Sequence, residues 1–102
     1  MNSRAKGKRG ELELAKLLRA YGYAARRGVQ YQGGTESPDV VGIPGYHIEC
    51  KWVENLSVRK AMCQSINDAG EKIPTVMWKK NREEWLVIMR LSDFLKVISD
   101  AE

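Results

Sequence analysis

Apolar side chains recur at Leu14, Leu17, Leu18 and Tyr21, the i, i+3, i+4, i+7 spacing of one helix face. The spacing predicts a helix over 3–21, loose and basic at its start and stopped by Gly22. Residues 23–27 read as a short strand, and 28–37, with Gly33-Gly34 and few apolar side chains, read as a loop. Strands follow over 39–43 and 46–53, with Pro44-Gly45 as the turn of a hairpin. A helix over 58–69 has Ser57 as its N-cap and Gly70 as its stop. Two more strands, 75–79 and 85–89, flank the polar turn 80–83. A helix over 91–99 closes the chain, with Ser92 or Asp93 near its cap.

The order α-β-β-β-α-β-β-α predicts an α/β fold, a mixed five-stranded sheet flanked by helices. A hairpin followed by a helical crossover makes such a sheet antiparallel in one part and parallel in another. A chain of 102 residues suits a single domain over 1–102. Strand residues alternate sides, so 46–53 carries Ile48, Cys50 and Trp52 on one face and His47, Glu49 and Lys51 on the other. The second set reads as a wet face. Trp78, Trp85, Met77, Met89 and the closing helix (Phe94, Leu95, Val97, Ile98) are rich in apolar side chains. Most are expected in the core and a minority at the surface.

Composition adds exclusions. With 43% hydrophobic and 29% charged residues the chain is that of an ordinary globular protein. No window is long and apolar enough to span a membrane, so no membrane partner is expected. The basic start MNSRAKGKRG leads into no apolar segment, so no signal peptide is expected and the expected location is cytoplasmic. Cys50 and Cys63 form neither a disulfide framework nor, with one histidine, a zinc site; both are expected to be reduced and packed as small hydrophobes.

Charge changes the picture more. Of the net +4, residues 1–35 carry +6 and the remainder −2. A basic N-terminal third suggests a polyanion partner, most often nucleic acid. Arg4, Lys6, Lys8, Arg9, Arg26 and Arg27 are the candidate phosphate contacts. Such contacts give affinity and position without reading sequence.

The candidate chemistry lies in ESPDVVGIPGYHIECKW, residues 36–52. Asp39 opens one strand of the hairpin and Glu49 lies on the other, so the two acids converge at one end of the sheet. Adjacent carboxylates repel and raise each other's pKa, and a hard divalent cation such as Mg²⁺ takes oxygen donors of this kind. Lys51 leaves the strand on the same face as Glu49. Glu11 sits at the edge of the buried helix stripe and needs a partner, for which an ion pair to a lysine or arginine at the core edge is the plainer reading. Three acids and a lysine that meet at one place point to a metal site; one salt pair on a wet strand is the plainer alternative.

These residues resemble the PD-(D/E)XK nuclease superfamily, with the motif present as Pro38-Asp39 and Glu49-Cys50-Lys51. Glu11 matches an extra acid on the first helix of many members, and Gln64 a polar residue in the helix after the motif. Size, the basic start, and segments such as Lys60-Ala61-Met62, Ile73-Pro74 and Trp85-Leu86-Val87 most resemble Hjc-type Holliday junction resolvases, especially short phage and prophage versions. The resemblance implies a restriction-endonuclease-like core and a host-cytoplasmic location if phage-encoded. It implies a catalytic set of Glu11, Asp39, Glu49, Lys51 and Gln64. It implies Mg²⁺, with Mn²⁺ able to substitute, on Asp39, Glu49, the Cys50 carbonyl and, through water, Glu11. It further implies a homodimer that makes paired nicks in four-way junctions, leaving 5′-phosphate and 3′-hydroxyl ends, in DNA recombination and repair. Archaeal members carry an assisting serine ahead of the Pro-Asp pair; here Thr35 and Ser37 stand in that loop without a firm match. The alternatives are a VRR-NUC-like nuclease acting on flaps, forks or other phage DNA, a non-catalytic basic DNA-binding module, and an α/β protein whose acids make only surface salt bridges.

Overall fold

The computed structural model describes residues 3–28 and 38–101, with side chains described from residue 7. The candidates Thr35 and Ser37 and the expected loop beyond Gly28 lie outside the described residues, as do the side chains of Arg4 and Lys6. The elements are α1 (Ser3–Ala20), β1 (Arg26–Arg27), β2 (Val40–Val41), β3 (Tyr46–Trp52), α2 (Val58–Ala69), β4 (Ile73–Lys79), β5 (Leu86–Ile88) and α3 (Leu91–Asp100). The expected order holds throughout, and the five strands form one mixed sheet in the order β1-β2-β3-β4-β5. Pairings are antiparallel except for β3 and β4, which run parallel from Tyr46↔Ile73 to Trp52↔Lys79.

Glycines set the turns. Gly22 (φ 99°) ends α1, its amide donating to the Arg19 carbonyl at 2.9 Å. Gly45 (φ 86°) closes the β2–β3 hairpin, as the Pro44-Gly45 pair predicts. Ser57 is the N-cap position of α2, but its hydroxyl makes no capping bond; the first turn closes through Ala61 N–H to the Ser57 carbonyl at 3.0 Å. Arg90, rather than Ser92 or Asp93, occupies the N-cap of α3.

The helices cover opposite faces. Gly10 of α1 lies against Trp52 and Cys50, whereas Ala61 and Gln64 of α2 border a groove with Lys51, which points the other way from β3. Leu14, Ala15, Ala25, Val40 and Ile48 form the core on the α1 side, and burying one such Leu, Ile or Val contributes roughly 1.5–3 kcal/mol. The inward face of α1 is centred between Leu14 and Ala15, so two residues of the predicted stripe fall off it. Leu17 is 40% and Tyr21 76% exposed.

Two further expectations change. The His47–Glu49 face of β3 is not wet: both residues are buried. The small side chains of α2 that are buried, Ala61, Ser65 and Ala69, let that helix lie close over the sheet. Nor is α3 core, since none of its residues is buried and Leu91, Phe94, Leu95 and Ile98 are exposed. Cys63 is exposed rather than packed, and both cysteines are free thiols.

Candidate active site

Asp39 is held by main chain on both sides. Its amide donates to the Ile48 carbonyl at 2.9 Å, and its carbonyl accepts from Gly28 N–H at 2.8 Å. Both contacts depend on the hairpin register, Val40↔Ile48, and on its pairing with β1. Gly28 has no alternative: a Cβ there would collide with the Pro38 carbonyl. The Asp39 side chain then meets β3, where Oδ2 accepts the Cys50 N–H at 2.8 Å. In an extended strand a residue's N–H and C=O point to the same side, so the Cys50 carbonyl also faces the β2 side of β3.

Glu49 is buried, and the Asp39 carboxylate acts on it directly. Burial first, and the Asp39 charge next, push its carboxyl from 4.5 up to about 8, while Lys51 works against the shift. His47 Nδ1 lies 3.6 Å from Glu49 Oε1 on the same strand face. Burial raises the Glu11 carboxyl, an Arg27 hydrogen bond opposes this, and the Asp39 charge adds to it. Cys50 registers the whole cluster: burial is the main cause of its raised thiol pKa, followed by Asp39, Glu11, Lys51 (which lowers it) and Glu49. The four charged candidates from α1, the start of β2 and β3 therefore act on one point.

The candidates do not all have the same surroundings. Arg27 Nε donates to Glu11 Oε1 at 2.9 Å, so Arg27 is half of an internal pair as it stands. Lys8, Arg9 and Arg26 are exposed. Gln64 is exposed and lines a groove of about 290 Å³ with Lys51, Lys60 and Ser57, on the Glu49–Lys51 side of the sheet. Two polar residues escaped the sequence reading. Strand alternation puts His47 on a wet face, and Asp68 carries no local motif, although Ala61, Ser65 and Asp68 stand at i, i+4, i+7 on α2. Asp68 Oδ2 is buried with no hydrogen-bond partner among the described residues, and the Asp68 charge also raises Glu49.

Among the described residues no three His, Cys, Asp or Glu side chains form a ready-made metal cage. Glu11 is turned to Arg27. The remaining donors still fit a hard cation. Asp39 and Glu49 bring two carboxyl groups together, one of them held well above its ordinary pKa, and a divalent charge relieves that arrangement. Among the described residues no helix is long and apolar enough to cross a membrane.

No curated protein matches the sequence. A family model described as "Phage putative PDDEXK endonuclease" matches residues 2–102, which takes in Glu11, Asp39, Glu49 and Lys51. The chain thus belongs to this phage family of PD-(D/E)XK-type endonucleases.

Proposed function

We propose that the protein is a Mg²⁺-dependent, structure-selective DNA endonuclease, cutting four-way junctions by paired symmetric nicks. The observation that carries the reading is the meeting of Asp39 and Glu49 beside the Cys50 main chain and Lys51. Asp39, Glu49 and the Cys50 carbonyl would hold the ion, with Glu11 reaching it through water. When bound, Mg²⁺ polarises the phosphate and lowers the pKa of a coordinated water. Lys51 stabilises the negative charge that develops on the phosphate, and Gln64, across the groove from it, orients a phosphate oxygen. Exposed Lys8, Arg9 and Arg26 supply the sequence-independent phosphate contacts.

Paired nicks need two identical sites at a fixed separation, which a two-fold dimer supplies. The uncovered apolar face of α3 supports such an assembly. The experiment compares a synthetic four-way junction with linear duplex and with flap and fork substrates, in Mg²⁺, for wild type and Asp39→Asn. Paired symmetric nicks that Asp39→Asn abolishes support the reading. Cleavage of flaps or forks alone selects the VRR-NUC-like alternative. DNA binding without any Mg²⁺-dependent cleavage selects the non-catalytic module.

A further inference from the structure

Three tryptophans gather where the parallel strands end, and each ring has a cation near it. The register sets Trp52 beside Lys79 and Lys51 beside Trp78. Above the Trp52 ring centroid lie the Arg9 guanidinium carbon at 5.1 Å and Lys79 Nζ at 4.8 Å. Lys79 Nζ is also 6.0 Å from the Trp85 centroid, and Lys80 Nζ is 5.7 Å from that of Trp78. The Trp52 ring is anchored at its edge, with Nε1 donating to Asn81 Oδ1 at 2.9 Å.

Among the described residues, the two cations at Trp52 differ in kind. Lys79 is half-buried and donates to Glu13 Oε1 at 3.0 Å, so it belongs to the packing. Arg9 is exposed and makes no ion pair among the described residues. Trp52 is half-buried; a guanidinium at its ring is a local contact with one charge, whereas a nucleobase stacks over the whole aromatic face. A base arriving at the ring would take the place of Arg9, whose charge would then meet the phosphate. The neighbouring acids do not oppose this. Glu13 is held by Lys79, and Glu54 Oε2 accepts the Asn81 N–H at 2.7 Å. Trp78 is the poorer platform, since Glu83 and Glu84 share its groove with Lys80.

We propose that Trp52 is a stacking platform for an unpaired nucleotide of DNA, with Arg9 as an exchangeable cap that moves from the ring to a phosphate. The inference rests on the nuclease reading and deepens it by naming the feature selected. Trp52 adjoins Lys51 in the chain and leaves β3 on the opposite face, so the strand end separates a base platform from the cleavage site. DNA with an unstacked base at a branch satisfies both; continuous duplex, with its bases turned inward, satisfies one.

The test is a fluorescence titration in EDTA with an oligothymidylate of about a dozen nucleotides and a duplex of equal length. Single strand is expected to quench the tryptophan emission and duplex to leave it nearly unchanged. Trp52→Phe keeps a ring and binds within about threefold of wild type, but loses most of the quench; Trp52→Ala binds single strand about tenfold or more weakly. Equal quenching of Trp52→Phe and wild type overturns the proposal, as does duplex binding with the same quench. If circular dichroism shows Trp52→Ala unfolded, the Trp52→Phe quench decides alone. Because no metal is present, the outcomes separate: cleavage of branched DNA without the quench defeats the platform and leaves the nuclease, and quench without cleavage does the reverse.

Discussion

Arg27 Nε and Glu11 Oε1 lie 2.9 Å apart, joining the first helix to the first strand across the edge of the acidic cluster. The pair is half-buried, with side-chain exposures of 35% and 15%. Arg27→Ala leaves Glu11 without its cation and is expected to lower stability by about 1–2 kcal/mol, between the values for surface and buried pairs. Arg26→Ala, at an exposed residue, is expected to leave the melting temperature unchanged and instead reduce the salt dependence of DNA binding. Chemical denaturation and binding at several salt concentrations check the two together; equal salt effects would return Arg27 to the DNA contacts.

Glu49 gives a pH dependence with a definite sign. Its folded pKa, about 8, is raised above the ordinary 4.5. The folded state therefore keeps a proton that the unfolded state releases, and this contribution to stability is full below 4.5 and lost as pH rises through about 8. In EDTA the melting temperature is expected to fall across that window. Glu49→Gln removes most of the slope, leaving the smaller part due to Glu11, which is raised in the same direction. A slope unchanged in Glu49→Gln would place the titrating group elsewhere.

Lys51→Ala is expected to slow cleavage by about 10²–10³-fold, the usual loss for one group stabilising transition-state charge. Binding of uncut DNA, measured in Ca²⁺, stays within about threefold because other contacts supply affinity. A parallel loss of binding and cleavage would make Lys51 a substrate anchor instead.

Since α3 buries none of its residues, its apolar face tests assembly without disturbing the core. Wild type is expected to sediment as a dimer, and Phe94→Glu with Leu95→Glu as a folded monomer. A wild type that stays monomeric at high concentration rejects the dimer.

Gly28→Ala forces a methyl group into the Pro38 carbonyl. The change is expected to cost about 2 kcal/mol or more and to remove cleavage, because the same contact fixes Asp39. Thermal melts and nicking assays check this; a stable, active variant would show that the β1–β2 pairing is not what sets the site.

The fold was legible where a local signal had one meaning. Helix α2 runs over the residues that the Ser57 cap position and Gly70 predict. Strand β4 starts at Ile73, two residues ahead of the expectation, with Pro74 inside it. Proline is tolerated there because β5 pairs only with Val76–Trp78, leaving that side of Pro74 without a strand partner. Asp39 and Glu49 were readable because one short hairpin joins them. That Glu11 would pair with a lysine or arginine was readable from its place on the stripe; that the partner is Arg27 was not, as no periodicity links residues sixteen apart. The dry setting of His47 and Glu49 was also hidden: alternating polar residues on a strand look solvated until α2 is laid over them.

The bond from Cys50 N–H to Asp39 has a consequence for genetics. It is made by main chain, so every amino acid except proline provides it at position 50. A side-chain scan would register Asp39 and pass over its partner, and the codon for residue 50 can drift among small apolar residues that fit beneath Gly10. Half of the clamp is thus inherited through the path of the backbone rather than through the identity of any residue.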